Sequence, residues 1–265
     1  MQRRTFITGG LILAGGLSLP FTALAQVANI NDAINKAGRQ RMLTQRLAKA
    51  YLQIGQDVET ETSKKILDQS MSSFDRQLVE LHAFSPTTDI RGNLSRMEQT
   101  WQEYKQTLVG KAANKEDAKT VLKLSENLLQ MADEVTMQLE KHAGGSTGKL
   151  VNLAGRQRML SQRLAKLYQA TNWNIAPANA AATIETTRKE FAAAMQTLQA
   201  ASGSNTRLKD ELLLAQSQWV FFDTALHQNS DGKLQRLSAS NVATTSERIL
   251  EVMDKITVMY QQLTG

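Results

Sequence analysis

The feature that most constrains this chain is a fifteen-residue string that occurs twice. AGRQRMLTQRLAKAY runs from Ala37 to Tyr51, and AGRQRMLSQRLAKLY runs from Ala154 to Tyr168. The copies lie 154 − 37 = 117 positions apart and differ only at Thr44/Ser161 and Ala50/Leu167. Self-similarity at a fixed period implies a repeated structural unit. The likeness continues more faintly outside the string. At the same offset Phe74 falls on Phe191 and Leu81 on Leu198, and with one inserted residue Trp101 meets Trp219. Further on, SENLLQMADEVT from Ser125 matches SERILEVMDKIT from Ser246, so that Asp133 faces Asp254. Outside the motif mainly apolar positions persist, which is what core packing alone would preserve. Inside it polar residues persist as well, so something beyond the core restrains them.

Helical spacing fills both halves. Apolar residues recur every three or four positions from Asn31 to Gln56, Ser63 to Ala83, Ile90 to Val109 and Lys115 to His142. The second half repeats the plan near Gly148 to Asn172, Pro177 to Ala201, Thr206 to Gln228 and Lys233 to Leu263. Ser85-Pro86 stops the second helix, and Thr88 and Asp89 are placed to cap the third. The Gly-rich stretch His142 to Gly148 falls where the first unit should end. The expectation is therefore an all-α chain of two tandem antiparallel four-helix bundles made by internal duplication, over residues 26–143 and 144–265.

Residues 1–25 read as an export signal of twin-arginine type. Arg3 and Arg4 precede a Gly-containing apolar run that closes on Ala23-Leu24-Ala25, so cleavage near Ala25 and a periplasmic location are expected. Removing that segment takes away two arginines and lowers the formal charge from +6 to +4. The chain has no cysteine, which excludes disulfides, c-type haem attachment and Cys-based zinc sites.

On a helical wheel at about 100° per residue, Arg41 is the one motif cation on the apolar arc, among Ile34, Ala37, Ala48 and Leu52. Arg158 is flanked alike by Val151, Ala154 and Ala165. A guanidinium keeps its proton, so burial requires an anion or a set of carbonyls. Between Asp32 and Asp57 no acidic residue occurs, nor between Glu140 and Glu185. Three readings follow. Either Arg41 and Arg158 form a site for a small anion, with Gly38 and Gly155 admitting a close helix and Gln45 and Gln162 lining the same side, or they pair with an acid from another helix such as Asp133 or Asp254, or they snorkel to solvent along the apolar face. Arg39, Arg46 and Lys49, with Arg156, Arg163 and Lys166, fall on the opposite side of the wheel and read as a solvated or partner-contacting stripe.

The string AGRQRMLSQRLAK, preceded by Ile34-Asn35 and by Val151-Asn152, resembles the signature of the PilJ-type sensor domain of type IV pilus chemotaxis transducers. That domain is in turn similar to the sensors of the NarX/NarQ nitrate and nitrite kinases. In those kinases an A-G-x-x-R-M segment supplies an arginine that binds the anion across a dimer interface. The resemblance places that arginine on Arg41 and Arg158, and Arg39 and Arg156 stand where the kinases carry neutral residues. It implies a periplasmic ligand-binding protein that captures a nitrate- or nitrite-like anion and signals to a membrane receptor, kinase or transducer. Two copies in one chain could meet as an internal pseudo-dimer, form a homodimer with another chain, or stack end to end through a nearly continuous helix. The rival expectation is a ligand-free helical module whose basic first helices dock an acidic protein or an anionic envelope polymer.

No enzyme, cofactor, metal site or nucleic-acid partner is expected. His82, His142 and His227 are isolated, Ser161 has no neighbouring histidine, and Gly144-Gly145 lacks the strand of a phosphate loop.

Overall fold

The computed structural model describes residues 26–227 and 233–263. The export-signal reading and its cleavage site at Ala25 lie outside them. The described chain is all-α: α1 Ile30–Gly55, α2 Thr60–Phe84, α3 Thr88–Val109, α4 Lys115–Ala143, α5 Ser146–Asn172, α6 Ala180–Ala200, α7 Thr206–Leu226 and α8 Lys233–Gln262. No strand occurs among the described residues, and none of their helices is long and apolar enough to cross a membrane.

Local chemistry sets the boundaries. The Asn114 side chain accepts from the backbone N–H groups of Glu116 and Asp117 to start α4, whose first turn is acidic and whose last turn carries Lys141 and His142, each complementing the helix dipole. Thr87 caps α3 by accepting from the N–H of Ile90, one residue earlier than the spacing suggests. Pro177 lies in the turn before α6 and not in its first turn. α4 ends at Gly144, whose φ of 75° a side chain would disfavour, and only Gly144 and Gly145 separate it from α5.

That tight reversal decides the architecture. α4 runs antiparallel to α1 within the first bundle, so a hairpin after α4 sends α5 back alongside α1. Residue pairs across the α1–α5 contact show a parallel pair in register. A Cβ on Gly148 would lie 3.1 Å from Ile34, and at the far end Gln56 donates to the Gln169 carbonyl (3.1 Å) while Asn172 donates to Gln56 (2.9 Å). The helices are therefore related by a pseudo-twofold axis running along them, and the end-to-end arrangement does not occur. α1 packs on α2 and α4, α5 packs on α6 and α8, and α1 and α5 pack on each other.

The duplicated aromatics form the same core in both halves. Phe74 stacks on Trp101 at 4.1 Å between centroids and Phe191 on Trp219 at 4.0 Å, with Tyr104 and Phe222 edge-on to the respective indoles.

Candidate functional site: the arginine pair between α1 and α5

The most polar part of the fold is its centre. Most of α1 from Ala33 to Gln53 is buried, because one side faces its own bundle and another faces α5 and α8. A stripe of polar residues on a single-helix wheel is thus not a wetted face here. The expected solvated stripe is corrected: Lys49 and Lys166 are fully buried (0% and 1% exposed), and its arginines are at most about a third exposed.

What the stripe meets is the other half of the chain. Arg46 and Lys49 of α1 both reach Glu247 on α8, each with a contact of 2.5 Å, and Lys49 also donates to Ser246. In the mirrored arrangement, Arg163 and Lys166 of α5 reach Glu126 on α4 at 2.7 and 2.5 Å, and Lys166 donates to Ser125. Burial pushes both ammonium groups below the ordinary lysine value, more than their carboxylate partners raise them. Burial alone would raise Glu247, but Lys49 and Arg46 outweigh it and hold the carboxyl down to about 2.

The inward arginines are also paired. Arg41 donates from Nη1 to Asp133 at 2.5 Å and Arg158 from Nη1 to Asp254 at 2.6 Å. Of the three readings of these arginines, the counter-charge from another helix is thus present: Asp133 and Asp254 are supplied by α4 and α8, far away in sequence but adjacent in the bundle. Each carboxylate is shared. Asp133 also takes Arg156 (3.2 Å), which bonds Glu190 as well, and Asp254 also takes Arg39 (2.5 Å). Every one of these aspartates therefore ties an arginine of its own half to an arginine of the other half.

The second guanidinium edge crosses the axis. Nη2 of Arg41 donates to the Asn152 side-chain oxygen at 2.7 Å, and Nη2 of Arg158 donates to that of Asn35 at 2.8 Å. Both guanidinium ends lie over both motif glycines. A Cβ on Gly38 would stand 3.2 Å from Nη2 of Arg41 and 3.7 Å from that of Arg158, and one on Gly155 would stand 3.1 and 3.8 Å from the same atoms in reverse order. The small residues make room for two cations on one axis. Burial is the main force lowering both guanidinium pKa values, Arg158 to about 10, with the charge of Arg39 and then of Arg41 adding to it at Arg158 and that of Arg156 at Arg41. Both stay charged at neutral pH. The Nε–H of each arginine is buried and has no partner among the described residues, which is unusual for a buried donor.

Gln45 and Gln162 sit one turn further along. Their amide groups donate to the backbone carbonyls of Ser125 and Ser246 at 3.0 and 2.9 Å, fastening α4 and α8, and their hydrogen bonds do not reach the arginines. The hydroxyls of Thr44 and Ser161 fold back to the carbonyls of Arg41 and Arg158, so both motif copies keep the same hydrogen bond despite this difference. Two clefts open beside the cross-half ion pairs, and neither is lined by Arg41 or Arg158. One of about 480 Å³ lies between α1, α2 and α8 and is lined by Arg39, Arg46, Glu247 and Asp254; the other of about 400 Å³ is lined by Glu126, Arg163 and Lys166.

Sequence reasoning did not assign roles to Asn35 and Asn152, or to Glu126 and Glu247. A signal existed for each. The asparagines stand at the same place before both motif copies, and the glutamates are identical where SENLL aligns with SERIL.

The described residues form an all-helical bundle with a buried polar centre. The family described as "Type IV pili methyl-accepting chemotaxis transducer N-term", PilJ, matches residues 22–128 and 144–220, and the chain belongs to it. One matched segment falls in each half. Searches of curated proteins and of solved structures gave no match.

Proposed function

We propose that the chain is a periplasmic sensory protein made of two PilJ-type units, 26–143 and 144–265, that face each other as an internal pseudo-dimer. Its ligand is a small anion, nitrate or nitrite first, held between Arg41 and Arg158 over Gly38 and Gly155. The observation that carries this reading is the convergence of two fully buried guanidinium groups on one axis, each with an unpartnered Nε–H. The arginines already hold Asp133 and Asp254, so an anion competes with those carboxylates. Its occupancy would thereby reach α4 and α8, the helices that carry them, and pass through their ends to a membrane receptor, kinase or transducer.

The test is thermal unfolding against nitrate and nitrite concentration. A ligand that binds only the folded state stabilises by RT ln(1 + [L]/Kd). The midpoint should climb with anion for the natural chain and stay flat for the Arg41→Ala/Arg158→Ala variant. A flat response of the natural chain, or an unaltered response of the variant, would rule out the assignment.

A second reading is favoured by the pairing itself: the motif acts only as a lock between the halves, and the arginines are satisfied by Asp133 and Asp254. It gives no anion dependence in any variant. Docking of an acidic protein or anionic polymer through Arg39, Arg46 and Lys49 loses its basis, since all three are engaged with Asp254 and Glu247.

A further inference from the structure

The duplication provides an internal control for α7, because α3 is its counterpart. Aligned on Trp101/Trp219, the inward positions agree: Leu94, Trp101 and Tyr104 of α3 correspond to Leu212, Trp219 and Phe222 of α7, all in the core or packed against it. The outward positions do not agree. Ser95, Arg96, Gln102 and Glu103 on α3 become Leu213, Leu214, Val220 and Phe221 on α7, and these four are 59%, 43%, 58% and 63% exposed. The core of the second half cannot account for residues that point away from it. From Leu212 to Phe222 the helix carries no charged residue, whereas α3 has Arg96, Glu98 and Glu103 over the matching span.

At about 100° per residue the four side chains, with Ser217 and Thr224, share one face about 120° wide. Their order has a further property. Leu213 and Leu214 stand four and three residues before Ser217, and Val220 and Phe221 stand three and four residues after it. An antiparallel copy of α7 crossing at Ser217 therefore sets Leu213 against Phe221 and Leu214 against Val220 twice over, with the small serine at the crossing. That is the isologous pattern of a twofold interface. With the four side chains 43% to 63% exposed, the apolar patch is on the order of a few hundred Å² per copy, the size at which such patches on monomers are often functional. Two copies with their flanks reach the lower end of a specific interface, roughly 1,000–1,200 Å² in total. A membrane-seated helix would carry cations along its apolar stripe; here Gln216 and Gln218 flank the stripe itself, and the cations of α7, Arg207 and Lys209, sit only in the turn before it, offset by Asp210 and Glu211. The helices that carry the arginine motif are consumed inside the chain and are not free for a second molecule.

We infer that the exposed apolar face of α7 is a homodimer interface, in which Leu213, Leu214, Val220 and Phe221 of two chains interlock antiparallel about Ser217. This is independent of what the arginine pair binds.

Sedimentation velocity of the purified chain across a wide concentration range tests it. The sedimentation coefficient should rise from monomer to dimer with concentration. Exchanging the four residues for their α3 counterparts, L213S/L214R/V220Q/F221E, should weaken dimerisation by more than about tenfold with little change in melting temperature. If that variant folds poorly, F221E alone should give the same shift. Because the chain has no cysteine, S217C should form a disulfide-linked dimer under mild oxidation far faster than S95C at the matching place on α3. A monomer at all concentrations, a dimer untouched by the exchange, or equal cross-linking of S217C and S95C would overturn the inference.

Discussion

Glu247→Gln isolates the contribution of the cross-half ion pairs. Glu247 is the only carboxylate that Arg46 and Lys49 contact in the described structure, and the Lys49 ammonium is fully buried. Removing one partner of a buried pair leaves an uncompensated charge, at about 3–5 kcal/mol. The Glu247 side chain retains 26% exposure, which places the loss near the lower end, about 3 kcal/mol. Proton linkage gives a similar ceiling. The carboxyl falls from 4.5 to about 2 on folding, about 2.5 pH units at about 1.4 kcal/mol each. A depressed carboxylate pKa stabilises above its unfolded value and loses that stabilisation as pH falls through the folded value. Urea unfolding of the natural chain and the variant should therefore differ by about 3 kcal/mol at pH 7. The gap should hold to about pH 5 and narrow between 4.5 and 2. Glu126→Gln, whose side chain is 35% exposed, should cost less. Lys49→Met combined with Glu247→Leu should recover part of the loss, because the fully buried charge goes with its partner while Arg46, 17% exposed, stays without a carboxylate. A gap that keeps its size down to the acid limb, or one under about 0.5 kcal/mol at pH 7, would refute this account of the stripe.

Other outcomes follow from the same geometry. Asp133→Asn with Asp254→Asn removes the charges that share Arg41, Arg156, Arg158 and Arg39; calorimetry should show a chain destabilised by several kcal/mol that regains midpoint steeply with added nitrate, and a variant indifferent to anions would favour the pure lock. Gly55→Ala would put a Cβ 2.2 Å from the Trp173 ring, so the indole must move. A loss of about 1–3 kcal/mol with an altered tryptophan emission spectrum is expected, and an unchanged spectrum would contradict it.

Much of the fold was readable from spacing alone. The eight helices, the Phe74/Phe191 and Trp101/Trp219 correspondence and the matched Asp133 and Asp254 all follow from one chain compared with itself. The stripe was not readable, because a wheel assigns a helix one buried side, and α1 and α5 have two. Lys49 looked outward from its own bundle and was; the outward direction led to Glu247 on α8 instead of water. The arginine partners were hidden for a related reason. Local sequence lacks acids for many residues on either side of Arg41, and Asp133 comes near only when α4 folds back along α1. The side-by-side arrangement depended on the sharpness of the Gly144-Gly145 turn, which composition marks but does not measure.

On the proposed reading, the Nε–H groups of Arg41 and Arg158, unpartnered among the described residues, meet one anion between the halves. Proton–nitrogen correlation spectra of the arginine Nε–H groups during a nitrate titration test it most directly. Both resonances, assigned through Arg41→Lys and Arg158→Lys, should move together along one saturating curve. Resonances that stay fixed while nitrate rises far above any concentration that changes the melting temperature would contradict it.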